Sequence, residues 1–113
     1  MHELPVTEGI LRTVLPAAEE AGAKKILGIR ITIGALSGVV PECLQIYLDQ
    51  IGKGTLAEGA RIVPEEVPAQ IRCLSCGYEG AIRRGQHECP NCKSLDFQIT
   101  GGWEVTVASL EAE

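Results

Sequence analysis

A chain of 113 residues has the size of one domain with room for a small appendage. Its residues are 45% hydrophobic but only 4% aromatic, so the core has to be assembled from Ile, Leu, Val and Ala. A formal charge of −5 makes the whole chain a poor match for a phosphate backbone, so nucleic acid is not the favoured partner.

The start, Met1-His2-Glu3-Leu4-Pro5-Val6, lacks the basic-then-apolar order of a signal peptide. No apolar run approaches the roughly 18 residues of a membrane span, so a cytoplasmic location is expected. From Thr7 to Ala21, residues Ile10, Leu11, Val14, Leu15, Ala18 and Ala21 recur at helical spacing. Thr7 is the expected N-cap, Gly22 the stop, and Pro16 the point of a kink or an early end. The run 26–33 then alternates Ile29, Ile31 and Ile33 with Arg30 and Thr32, the two-residue period of a half-buried strand. Gly34 and Ser37-Gly38 turn the chain. Pro41 suits a first helical turn, and Leu44, Tyr47, Leu48 and Ile51 form an apolar stripe that Gly52 ends.

Residues 52–59 read as a loop and 60–67 as a strand that Pro64 pushes to an edge or splits. Trp103, Val105 and Val107 alternate with Glu104 and Thr106 as a last strand. Residues 69–100 are therefore inserted between two strands. The expected fold is α+β: a two-helix, three-stranded sheet domain (1–68 and 101–113) carrying a four-cysteine zinc-binding insert (69–100).

Five cysteines are an odd number, and four fall in two close pairs, a pattern that favours metal ligation over disulfides in a reducing compartment. Cys73-Leu74-Ser75-Cys76 and Cys89-Pro90-Asn91-Cys92 are two knuckles separated by twelve residues, and each can aim two sulfurs at one ion. The segment between them holds Gly77, Gly80, Arg83, Arg84 and Gly85 and few large apolar groups, so metal must supply much of its folding energy. Four thiolates leave no open position for water, which makes a zinc site here structural. Cys76-Gly77-Tyr78 and Cys89-Pro90 also resemble the knuckles of rubredoxin, an iron electron carrier, but the aromatic packing of that protein is missing and zinc ranks ahead. His87 reads as a surface histidine, because four cysteines already complete the shell. Cys43 reads as a free thiol packed like a small hydrophobe.

At the start of the chain, the Met1 amine, the deprotonated amide of His2 and its imidazole can chelate one ion together. Glu3's amide or another donor fills the fourth position. Nitrogen-rich tetragonal sets of this kind suit Ni(II) or Cu(II). The bulk of His2 hinders removal of Met1, which keeps Met1 in the ligand set.

The opening Met1-His2-Glu3, the small α/β base, the two knuckles before a final strand, and Ile33-Gly34-Ala35-Leu36-Ser37-Gly38 leading to a helix with Glu42 together resemble the HypA/HybF nickel metallochaperones of hydrogenase maturation. The resemblance covers essentially the whole chain. It implies nickel at His2 with the Met1 amine and neighbouring amides, Glu3 in support, and zinc at Cys73, Cys76, Cys89 and Cys92. Some relatives place an aspartate in the turn before the second helix, where this chain has Val39 and Val40, so a side-chain carboxylate ligand is not carried over there.

The resemblance further implies a non-enzymatic carrier of nickel. Its expected partners are the large subunit of a nickel-iron hydrogenase and a maturation GTPase of the HypB type, with urease a second destination; monomer and homodimer fit equally. One rival reading is a zinc ribbon that binds nucleic acid or protein, for which Arg72, Arg83, Arg84 and Lys93 make the insert locally basic. A second is electron transfer through iron at the cysteines. A third, a nucleotide-binding loop at Gly52-Lys53-Gly54-Thr55, fails: Tyr47 stands where the motif needs its first glycine, and Gly54 where it needs Ser or Thr.

Overall fold

The computed structural model describes residues 3–113. The chain runs α1 (Glu3–Glu20), β1 (Ile26–Gly34), α2 (Pro41–Ile51), β2 (Arg61–Val67), β3 (Ala69–Cys73), β4 (Glu79–Ile82), β5 (Phe97–Gly101) and β6 (Val105–Ala112). The α+β class is as expected.

Helix α1 begins at Glu3, four residues before the expected cap. Thr7 lies inside the helix, buried, and its hydroxyl donates to the Glu3 carbonyl at 2.6 Å. The earlier start has a tertiary cause, since the buried Glu3 carboxylate is anchored to the turn before α2. Nor does Pro16 end the helix. It and Arg12, whose carbonyl loses its helical partner, both lie on the exposed side of the helix, where an unpaired carbonyl costs least. Gly22 does stop it: at φ +75° it closes the last turn, with the Ala23 N–H reaching back to the Ala18 carbonyl at 2.9 Å.

The first sheet has the order β2-β1-β6. Strands β1 and β2 are parallel, with Ile31 opposite Pro64, and α2 forms the crossover that parallel pairing demands. Pro64 sits on an edge strand as its missing N–H requires. Antiparallel to β1 on its other side runs β6, Val107 opposite Ile31. Trp103 does not belong to this strand: it precedes β6 and is half exposed. One sheet face carries Ile29, Ile31 and Ile33, packed beneath Ile10, Leu11, Val14 and Ala18 of α1 and Leu44 and Leu48 of α2. Burying each such side chain contributes about 1.5–3 kcal/mol. Gln45 bonds the Ala60 carbonyl at 3.0 Å and the Ile62 N–H at 2.7 Å, fixing the start of β2 to α2.

The second sheet, order β4-β3-β5, is built wholly from the segment between β2 and β6. Its core is small, with Ala69, Ile71 and Ile82 buried and Tyr78 and Phe97 packed against them. The two sheets meet where Gly34 approaches Gly102 so closely that a Cβ on Gly34 would lie 2.2 Å from the Gly102 carbonyl oxygen. End-to-end placement gives extents of 53 × 27 × 16 Å and a radius of gyration of 17.3 Å, against about 13 Å for a compact chain of this length.

Candidate metal centre

Cys73 ends β3, Cys76 lies in the turn that follows, and Cys89 and Cys92 belong to the turns between β4 and β5. Each knuckle closes in the same way. The Gly77 N–H bonds the Cys73 carbonyl at 3.1 Å and the Lys93 N–H bonds the Cys89 carbonyl at 2.8 Å, and both closing residues take positive φ, +80° and +64°. Lysine thus occupies in the second knuckle the backbone conformation that glycine adopts at low cost in the first. Leu74 N–H to the Asp96 carbonyl (2.9 Å) and Ser75 Oγ to Ser94 Oγ (2.9 Å) hold the two knuckles together.

This packing brings all four sulfurs within 4.8 Å of one another. Cys73 and Cys92 are 3.6 Å apart and Cys76 and Cys89 3.7 Å, far beyond a disulfide bond. A tetrahedron with zinc–sulfur arms of about 2.3 Å has edges of about 3.8 Å, so the spacing fits one tetrahedral ion. Donor chemistry points the same way. The backbone N–H groups of Ser75 and Cys76 both donate to Cys73 Sγ at 3.4 Å, that of Asn91 to Cys89 Sγ at 3.4 Å, and Asn91 Nδ2 to Cys76 Sγ at 3.5 Å. Donors aimed at sulfur favour thiolate over thiol.

Acidities follow this arrangement. The Asn91 amide, then the Tyr78 backbone N–H, bring Cys76 down to about 6, and the Cys76 backbone N–H is the main cause of a lowered Cys73. Cys92 goes the other way: the Ser94 N–H lowers it, but loss of water and the three neighbouring sulfurs push it up to about 12. Four thiolates do not ionise together at neutral pH without a cation among them. Asn91 and the Ser75–Ser94 pair were not singled out from sequence. Ser75 and Asn91 lie inside the two C-x-x-C knuckles and Ser94 two residues past the second, and that placement is the signal that points to them.

His87 is exposed and outside the sulfur cluster, and Cys43 is half-buried on α2, not fully packed as expected. Of the amino-terminal group, Met1 and His2 lie outside the described residues. Glu3 is buried at 3% exposure, and its Oε2 accepts the Val40 N–H at 3.2 Å. Val40 is the N-cap of α2 and has no side-chain cap of its own. A carboxylate from α1 thus does what an acid in the third turn position does in a capping box, and it sits at the positive end of the α2 dipole. Val39 N–H is taken by Ser37 Oγ at 3.2 Å.

The profile of the family described as hydrogenase/urease nickel incorporation, metallochaperone, hypA, matches residues 1–112. Hydrogenase maturation factor HypA of Dehalococcoides mccartyi is 36% identical over 115 residues, covering 100% of this chain and 95% of that protein. The same factor of Picosynechococcus is 40% identical, covering 98% of each chain. A solution structure of the Ni metallochaperone HypA from Helicobacter pylori shares the fold at a TM-score of 0.69 and 21% identity, covering 99% of this chain and 97% of that one. A second solution structure, of HypA protein, has a TM-score of 0.71 at 22% identity, covering 100% and 97%. By profile and by relatives along its whole length, the chain belongs to the HypA family of nickel metallochaperones for hydrogenase maturation, which are carriers and not enzymes.

Proposed function

We propose that this chain takes up one Ni(II) at its amino terminus, through the Met1 amine, the His2 amide and imidazole and the Glu3 amide. It then passes the ion to the large subunit of a nickel-iron hydrogenase. A nickel-binding maturation GTPase of the HypB type assists, and urease is a second acceptor on the same reading. The observation that carries it is the family match over residues 1–112, which spans both the amino-terminal Met1-His2-Glu3 and the cysteine knuckles.

Glu3 supports the reading from the structural side. Its carboxylate is engaged with the N-terminus of α2, so it serves the nickel group by anchoring the start of α1 and contributes its backbone amide as donor. A terminal site anchored in this way presents its ion to a partner without unfolding the core. The four cysteines hold zinc, which supplies, when bound, the cross-link that the small second core lacks. On this reading residues 1–68 and 101–113 form the nickel-binding unit and 69–100 the zinc-binding unit. The carrier works in the cytoplasm, where its thiols stay reduced, as a monomer or a homodimer. Among the described residues no helix is long and apolar enough to cross a membrane.

Calorimetric titration of Ni(II) into tag-free, zinc-loaded protein tests the site, with mass spectrometry confirming that Met1 is retained. The native chain is expected to bind about one nickel, and His2→Ala to bind none while keeping its zinc and its fold. Equal binding by both, or by neither, rejects the amino-terminal site.

A further inference from the structure

Beyond the two metal sites, the second sheet has a cleft of about 260 Å³ on its apolar face. Ile71, Ile82, Phe97 and Ile99 form its floor, Leu36 of the turn after β1 faces them, and Arg83 and His87 stand at its side. Leu36 and Ile99 are 42% and 45% exposed, so the two sheets do not close this face between them. The zinc site does not use it.

We propose that this cleft receives an extended apolar peptide segment of a protein partner that carries a carboxylate, read by Arg83. Charge decides the occupant. No residue lining the cleft is acidic, in a chain with 15 acidic and 10 basic residues. Arg84 is paired with Glu66, but among the described residues the Arg83 guanidinium has no hydrogen bond or ion pair; its backbone is engaged with Gln86, the N–H donating to Oε1 at 3.2 Å and the carbonyl accepting the Gln86 N–H at 2.9 Å. One unengaged guanidinium beside an apolar floor matches a single carboxylate on an apolar chain. A polyanion needs many such contacts and meets a chain of charge −5. The lining crosses the sheet from Ile82 and Arg83 at its β4 edge to Phe97 and Ile99 on β5, so a segment laid across it meets the apolar floor and the guanidinium together.

The test uses full-length, zinc-loaded protein and fluorescence anisotropy of a labelled hexapeptide, Lys-Val-Thr-Leu-Gln-Leu, with a free terminal carboxylate. Two companions are its terminal amide, and that amide with Glu in place of Gln. The free acid is expected to bind at least about fivefold more tightly than the plain amide, and Arg83→Glu to weaken it at least about tenfold. Arg83→Lys keeps most of the binding, Ile99→Asp removes it, and Arg30→Glu on the outer face of the first sheet leaves it unchanged. Zinc content and circular dichroism confirm that each variant is folded, and Arg83→Glu decides the matter if Ile99→Asp is not. The Glu-containing amide is expected to recover the binding that the plain amide loses, since a carboxylate at that end of an apolar segment is what Arg83 reads. The proposal is overturned by equal affinity of acid and plain amide, by an unaffected Arg83→Glu, by displacement of the peptide by an oligonucleotide, or by no binding at all.

Discussion

At the residue scale, two side chains do more than their type announces. Glu3 lends its carboxylate to the cap of another helix, so losing it leaves the Val40 N–H without that acceptor and the α2 N-terminus without its compensating charge. Glu3→Ala is expected to cost about 1–3 kcal/mol in urea unfolding of the zinc-loaded protein, and Glu3→Gln less, since it keeps an acceptor oxygen. Asn91 acts on a neighbouring knuckle: its amide is the main reason that Cys76 sits at about 6. Zinc ligation needs all four thiols deprotonated, so zinc affinity falls as pH drops. Asn91→Ala removes the donor aimed at the Cys76 sulfur, and zinc affinity at pH 7, measured against a competing chelator, should then fall about tenfold or more. An unchanged affinity removes Asn91 from this role.

Between the elements, the decisive contact is backbone against backbone. Gly34 at the end of β1 and Gly102 before β6 lie where the first sheet gives way to the second. Their approach is fixed by the Gly34 N–H to the Glu104 carbonyl at 2.8 Å and the Leu36 N–H to the Gly102 carbonyl at 2.7 Å. Gly102 has φ +118°, and a Cβ there would meet Ala69 Cα at 2.8 Å. Neither obstacle is a flexible side-chain end, so the strands have to move apart. Gly34→Ala should therefore destabilise by about 1–3 kcal/mol or more in thermal or urea melts, whereas Gly38→Ala, with open space around its Cβ but φ +74°, tests backbone conformation alone. Equal stability of Gly34→Ala and the native protein contradicts the close approach.

Over the whole molecule, stability is unevenly divided. Two helices cover the first sheet across a wide Ile and Leu core, while the second sheet has three small or medium buried residues and four sulfurs. Removing metal with a chelator should accordingly unfold one end and spare the other. Hydrogen exchange is expected to lose protection across β3, β4 and β5 while β1 and α2 keep theirs, and Cys73→Ser should do the same without chelator. Exchange that rises uniformly along the chain would mean that both sheets unfold as one unit.

How much of this was legible beforehand follows from the range of each interaction. Local patterns reported themselves: the Ile29–Ile31–Ile33 alternation, Pro41 and Gly52 at the ends of α2, Pro64 on an edge, and two knuckles at a spacing that few other purposes explain. The family, too, lies in such motifs, because ligand chemistry fixes residue types at short spacing. The sequence by itself therefore determined the class of fold, the four clustered cysteines as a group and the kinship. Only the tertiary structure decided that α1 starts at Glu3, that Trp103 stands outside β6, which donors tune each sulfur, and that an acid-free cleft remains beside Arg83. Those features arise between residues far apart in sequence, 37 positions for Glu3 and Val40 and more for Leu36 and Ile99 across the cleft, and no local periodicity encodes a contact that exists only once the chain has folded back on itself.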